Sequence, residues 1–195
     1  MPTNKAYLRK VYKEKRKNMN DEVHAHRSQL VAQQFFQYFQ VQHLQSLHLF
    51  LPIQKLKELN TWYIVRKVWQ AYPHLQLVVS VSDFTTLQMK SFYFNPDTPL
   101  KENTWGIPEV VNAVPFPDEN IAMILLPLLA FDLDGYRVGY GKGFYDRFLQ
   151  RCPAKIRKVG LSLEAPIEKI NDTDHHDVRM DYCVTPERVY VFDKQ

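Results

Sequence analysis

Hydrophobic positions along this chain change their spacing several times, and each change marks an element. Over 4–18 (NKAYLRKVYKEKRKN) the apolar stripe is narrow, Leu8, Val11 and Tyr12, with lysine and arginine around it, which predicts a basic amphipathic helix. A second helix is predicted from Asn20, with Asp21 and Glu22 well placed in its first turn. Val23, Leu30, Val31, Phe35, Phe36 and Phe39 then recur at helical spacing and read as core. The pattern shortens at Leu47-His48-Leu49-Phe50-Leu51, a buried strand closed by Pro52. A helix over 62–72 follows, capped by Asn60 or Thr61, with Tyr63, Val65, Val68 and Trp69 facing inward.

Strands are predicted over 75–81, 88–94, 121–126, 155–161 and 189–192, and a helix from Phe144 to about Gln150. Residues 95–120 hold five prolines and little periodicity, so they read as a long loop. Strands alternating with helices from residue 46 onward predict a three-layer α/β domain with a largely parallel sheet.

Composition narrows this picture. A chain of 195 residues with 45% hydrophobic and 24% charged content is an ordinary globular chain, expected to fold as a single domain over 1–195. Net charge is +4, a mild excess that suits anionic small ligands as well as nucleic acid. Cys152 and Cys183 do not make a disulfide framework and read as reduced thiols. The start is charged and no apolar run approaches a membrane span, so a soluble, cytoplasmic monomer is expected, with no membrane partner.

The chemistry concentrates between Leu125 and Leu149, LLPLLAFDLDGYRVGYGKGFYDRFL. Gly139, Gly141 and Gly143 let backbone N–H groups approach a ligand, and a helix opening at Phe144 adds free donors and a positive dipole end. Arg137 and Lys142 flank the loop, and Asp146 can hold a metal beside an anion. Phosphate is the ligand such a loop suits. It is not a Walker A loop, because Gly143 stands where the hydroxyl belongs, nor a dinucleotide fingerprint, because Phe144 occupies the third glycine position. The alternative is a plain glycine-rich connection in which Asp146 favours a helix start.

The whole string resembles the signature of the 5-formyltetrahydrofolate cyclo-ligases, or 5,10-methenyltetrahydrofolate synthetases: R-[LIV]-G-x-G-[KG]-G-[YF]-Y-D, preceded by Phe131-Asp132. The resemblance implies a Rossmann-like fold of helix, sheet and helix layers. It implies an ATP- and Mg²⁺-dependent conversion of 5-formyltetrahydrofolate, with or without a polyglutamate tail, to the 5,10-methenyl form, releasing ADP and phosphate. ATP phosphorylates the formyl oxygen and the substrate's own N10 displaces phosphate, which agrees with a chain lacking a nucleophile motif.

Residue by residue, the likeness implies that Lys5 and Arg9, four apart on the first helix, contact ATP phosphates. They are joined by Arg137, Val138, Gly139, Tyr140, Gly141, Lys142, Gly143, Phe144 and Tyr145, with Lys142 and Arg137 assisting the chemistry. Glu58-Leu59-Asn60-Thr61 matches a turn whose glutamate binds the pterin, a role a carboxylate can fill by accepting paired N–H donors. Leu51, Met89, Tyr140 and Phe144 border the folate. Trp105, in Trp105-Gly106-Ile107-Pro108-Glu109, either walls that pocket or anchors packing. His176-Asp177-Val178-Arg179-Met180-Asp181 matches an element whose first aspartate binds magnesium, so Asp177 joins Asp146 as a metal ligand and Asp181 reads as a structural acid. A zinc site on His175-His176 is poorly supported, since adjacent histidines on extended backbone diverge. Lys13, Lys15, Arg16 and Lys17 read as solvated charges. Two other classes compete: a non-catalytic binder of a phosphorylated metabolite, against which the Asp146/Asp177 pair argues, and a nucleic-acid-binding protein motivated by the basic first helix; the sequence holds no recognition motif for the latter, so no nucleic-acid partner is expected.

Overall fold

A computed structural model describes residues 3–192. Five parallel strands form the centre of a seven-stranded sheet: β1 (Ser46–His48), β2 (Gln76–Asp83), β6 (Met123–Pro127), β9 (Arg157–Leu161) and β10 (Tyr182–Val184). Antiparallel β3 (Gln88–Tyr93) closes the edge beside β2, and antiparallel β11 (Val189–Val191) closes the edge beside β10. The order is β11-β10-β9-β6-β1-β2-β3, so the winding reverses between β1 and β6. Open α/β sheets leave a crevice for ligands at such a reversal.

Side chains alternate across the sheet and build two separate cores. Leu47, Leu77, Val79, Met123, Leu125, Val159 and Leu161 face one way. There they meet helices α2 (Asp21–Tyr38) and α3 (Trp62–Ala71) through Val31, Phe35, Ile64, Val65 and Val68. Val78, Ile124, Leu126 and Cys183 face the other way, onto Phe148 and Leu149 of α4 (Phe144–Arg151). That is the expected helix, sheet, helix sandwich, and its strands read as unbroken apolar runs because both faces are covered. At Gly160 the second core leaves no room for a side chain: a Cβ there would run into Met180 Sδ and the Leu128 side chain.

Helix α1 (Lys5–Lys17) belongs to neither layer. Asn4 caps it, accepting from the Tyr7 N–H at 2.8 Å, and Leu8 packs with Ala130, Val138 and Ile170 in a small third core. Asn20 caps α2 as expected, accepting from the Glu22 N–H at 2.7 Å. At α3, Asn60 accepts from the Trp62 N–H at 3.1 Å, while the Thr61 hydroxyl is drawn away to the Phe50 carbonyl.

Several expectations fail locally. The presumed loop 95–120 contains a hairpin of β4 (Leu100–Glu102) and β5 (Pro108–Val110), hidden because all of β4 is exposed and no alternation survives. A short ladder of β7 (Ala130–Phe131) and β8 (Arg137–Val138) introduces the glycine loop, and the acidic histidine segment ends in β10. Val11 and Val23 are exposed, and in α3 the fully buried positions are Ile64, Val65 and Val68, with Tyr63 and Trp69 half-buried.

Candidate functional site

At the reversal between β1 and β6 lies a cleft of about 530 Å³. Of the residues singled out from sequence, all but Val138 line it. Val138 is buried beneath the loop with Leu8 and Ile170, its carbonyl accepting from the Leu129 N–H at 2.7 Å, so it supports the loop from below.

One wall is charged. Gly141 (φ +91°) and Gly143 (φ +65°) hold left-handed backbone that only glycine adopts cheaply, and Gly143 feeds directly into α4. A side chain at Gly141 would also strike the Arg9 guanidinium, whose carbon lies 3.0 Å from the Cβ position. Arg9 Nε donates to the Gly139 carbonyl at 3.0 Å, tying α1 to the loop. Arg137 is buried and donates to Asp146 Oδ1 at 2.6 Å and to the Val178 carbonyl at 2.5 Å. It therefore holds Asp146 in place as much as it offers charge to the cleft. Lys142 is exposed on the loop, and among the described residues its ammonium has no ion-pair or hydrogen-bond partner.

Asp146 Oδ1 also accepts from the Val178 N–H at 3.2 Å, which brings the segment bearing Asp177 alongside. Asp177 pairs with Lys5, and its same oxygen accepts from the Asp174 N–H at 2.7 Å. Each carboxylate thus has one oxygen committed and the other without a partner among the described residues, and both border the cleft. Two such oxygens beside a loop of N–H donors fit a magnesium ion that completes its shell with phosphate and water. No group of three or more histidine, cysteine or acidic side chains suited to a metal occurs among the described residues. Asp181 is structural, bonded to the Lys158 N–H at 2.8 Å and its ammonium at 3.0 Å.

The facing wall is apolar, with one acid in it. Glu58 is buried; desolvation raises its pKa, against lowering by the Ile53 N–H, the Tyr140 hydroxyl and Arg16. Leu51, Phe50 and Met89 are buried around the cleft floor. Trp105 is 65% exposed, which excludes a packing anchor; it stacks on Phe84 with centroids 5.4 Å apart and planes 27° apart. Phe84 in turn meets Phe144 edge-on at 5.1 Å. His48, beneath this wall, and Tyr145, in the cleft lining, are uncharged: burial drives the His48 pKa down to about 3 and the Tyr145 pKa up.

Two residues escaped the sequence reading. Phe84 sits in a turn set by Asp83, which accepts from the Thr85 and Thr86 N–H groups, and no motif marks it. Arg16, expected in solvent, is buried and donates to the Tyr140 hydroxyl at 2.9 Å and the Leu128 carbonyl at 2.6 Å. A signal for it existed, because seven residues after Arg9 is two helical turns on the same face.

A doubly wound sheet with its cleft at the winding reversal, one side cationic and glycine-lined and the other largely apolar, defines a Rossmann-like ligand-binding protein. The 5-formyltetrahydrofolate cyclo-ligase family model matches residues 2–186, and the chain belongs to that family. It is 35% identical to the 5-formyltetrahydrofolate cyclo-ligase of Haemophilus influenzae over 126 residues, 62% of this chain and 66% of that one. The mouse protein of the same name is 26% identical over 89% of both chains. The NMR structure of Aquifex aeolicus 5,10-methenyltetrahydrofolate synthetase superposes with a TM-score of 0.81 at 26% identity, covering 98% of this chain and 94% of that one.

Proposed function

We propose that the protein uses ATP to close 5-formyltetrahydrofolate to 5,10-methenyltetrahydrofolate, releasing ADP and phosphate. The observation that carries this reading is a single cleft with a phosphate-suited wall opposite a wall suited to a flat heterocycle with paired N–H donors. Lys5, Arg9 and Lys142, with the N–H groups of the glycine loop, bind the triphosphate and offset its charge as the terminal phosphoryl group moves. Asp146 and Asp177 would hold Mg²⁺, with Arg137 fixing Asp146. The chemistry such an ion would supply there is neutralisation of phosphate charge.

Glu58 accepts the pterin's ring N–H and 2-amino N–H, while Trp105, Phe84 and Phe144 shield the ring and the reacting formyl group from water. The formyl oxygen attacks the terminal phosphorus and the bond to ADP breaks. N10 then attacks the formyl carbon, loses its proton, and phosphate departs with the formyl oxygen. The protein supplies alignment and charge and forms no covalent bond to the substrate.

The direct test is to mix protein, ATP, Mg²⁺ and 5-formyltetrahydrofolate and follow the methenyl chromophore. Turnover that requires all three is expected. A protein that binds the nucleotide without producing the chromophore would be the non-catalytic phosphometabolite binder. Steeply salt-dependent RNA or DNA affinity in place of turnover would mark the nucleic-acid alternative.

A further inference from the structure

His48 of β1 is fully buried, its ring against Phe148 of α4 with centroids 5.5 Å apart. One ring nitrogen, Nε2, lies 2.6 Å from the hydroxyl oxygen of Ser80 in β2. The other, Nδ1, is buried with no hydrogen-bond partner among the described residues. Ser80 borders the cleft and His48 does not. A buried imidazole thus makes its one side-chain hydrogen bond to a hydroxyl on the cleft surface.

A serine and a histidine at this distance suggest a nucleophile and its base. Such a base needs a third group to orient it, and Nδ1 has none among the described residues. Burial also holds the His48 pKa at about 3, which makes the imidazole a poor base at neutral pH. What remains is a hydrogen bond whose direction the orphaned nitrogen decides. A neutral imidazole carries one proton. On Nδ1 that proton would be a buried donor without an acceptor, and orphaned N–H donors are rarer in folded proteins than under-satisfied acceptors. The proton therefore sits on Nε2, and His48 donates to Ser80 Oγ. Ser80 keeps its own proton to give. Its side chain has no second partner among the described residues, and the Oγ of Ser91, opposite it across the β2–β3 ladder, is bonded to nothing there.

The position of Ser80 says which ligand receives that proton. Val79 and Ser82 of the same strand line the cleft, as does Met89, opposite Ser82 on β3. This is the apolar side. β2 also pairs with β1, and the chain leaving β1 reaches Ile53, whose N–H holds Glu58 Oε2 at 2.8 Å. With Glu58 accepting the pterin's ring N–H and 2-amino group, the ring carbonyl beside that N–H is an acceptor still in need of a donor. The formyl oxygen is the wrong target, because a donor there would draw on the electron pair that attacks phosphorus.

We infer that Ser80 is a folate-binding residue whose hydroxyl, fixed from behind by a hydrogen bond from His48, donates to the ring carbonyl of the pterin. His48 is its positioning residue, a support behind a contacting group of the kind preorganised sites require. This rests on the folate reading of the cleft.

The measurement is the affinity of the intact protein at pH 7, by calorimetry, for 5-formyltetrahydrofolate, 5-methyltetrahydrofolate and ATP with Mg²⁺, in wild type, S80A, H48Q and H48F. Both folates carry the ring carbonyl and only the first carries a formyl oxygen. S80A should weaken both folates roughly tenfold and leave ATP unchanged. H48Q, which keeps an N–H donor on a side chain of similar reach, should bind folate more tightly than H48F, which removes the donor and keeps a ring. ¹⁵N NMR of the histidine side chains should show His48 as the neutral Nε2–H tautomer from pH 5 to pH 9.

An Nδ1–H tautomer would mean that Ser80 gives its proton to His48, and it overturns the proposal. So does wild-type folate affinity in S80A, or a loss confined to 5-formyltetrahydrofolate, which would put the hydroxyl on the formyl oxygen. If H48F does not fold, the tautomer and S80A still decide. The folate reading fails separately, and takes this proposal with it, if the wild-type protein binds neither folate.

Discussion

The two walls of the cleft are built in opposite ways. The charged wall is nearly continuous in sequence: one ten-residue stretch from Arg137 to Asp146 supplies an arginine, three glycines, a lysine and an acid. The apolar wall draws single residues from five separate turns and strands, Leu51, Glu58, Phe84, Met89 and Trp105. Binding phosphate depends on backbone N–H groups and a helix start, which neighbouring residues must provide together. Holding a flat ring depends on surfaces facing each other across a gap, which distant residues can provide one at a time. The first kind of site leaves a motif; the second leaves scattered letters.

Substitutions on the two walls should therefore fail differently. The largest effect belongs to Lys142, whose ammonium has no partner among the described residues: K142A should lower kcat by about a hundredfold with little change in the folate KM. Steady-state kinetics with both substrates varied would show it, and near-normal turnover would remove Lys142 from the chemistry. On the other wall, E58Q should raise the folate KM roughly tenfold and leave the ATP KM within a factor of two.

Glu58 also makes a prediction about pH. Its folded pKa is raised by burial, so the folded protein holds this proton more tightly than the unfolded chain. Its contribution to stability is greatest below the unfolded pKa and is lost as pH rises toward the folded one. E58Q should accordingly melt at a higher temperature than wild type at neutral pH while binding folate less well, the trade expected where a buried acid serves a ligand. A lower melting temperature would mean that the carboxylate is fully compensated in the free protein.

A smaller effect is expected at Phe84, where F84A removes the ring on which Trp105 stacks and should weaken folate binding by about fivefold without altering nucleotide affinity. Least of all should come from Lys15, whose pair with Glu164 at 2.6 Å is half exposed and away from the cleft. K15A should shift stability by under about 0.5 kcal/mol and leave both affinities unchanged, separating it from Lys5, Arg9 and Arg16 on the same helix.

Seen from the sequence, the core was the most legible part. Runs such as Met123–Leu126 announced strands covered on both faces, and Asn20 announced a helix start. Exposed β4 announced nothing, because an element with no buried side has no hydrophobic period to read. The glycine loop stands out from its own letters as a candidate anion site, and the family likeness adds Lys5, Arg9, Glu58 and Asp177, all of which border the cleft. Val138 falls inside the motif yet faces the core, since alternation along β8 sends neighbouring side chains to opposite sides.

What the sequence determined alone is thus the local chemistry: where backbone can approach a phosphate, which runs must be buried, which residues cap helices. Tertiary structure alone decided which charges meet. Arg16 and Lys15 are adjacent letters on one basic helix, yet one is buried against Tyr140 and the other pairs at the surface with Glu164. Helical rotation of about 100° per residue separates their directions, and only the docking of α1 over the loop selects the direction that faces the site.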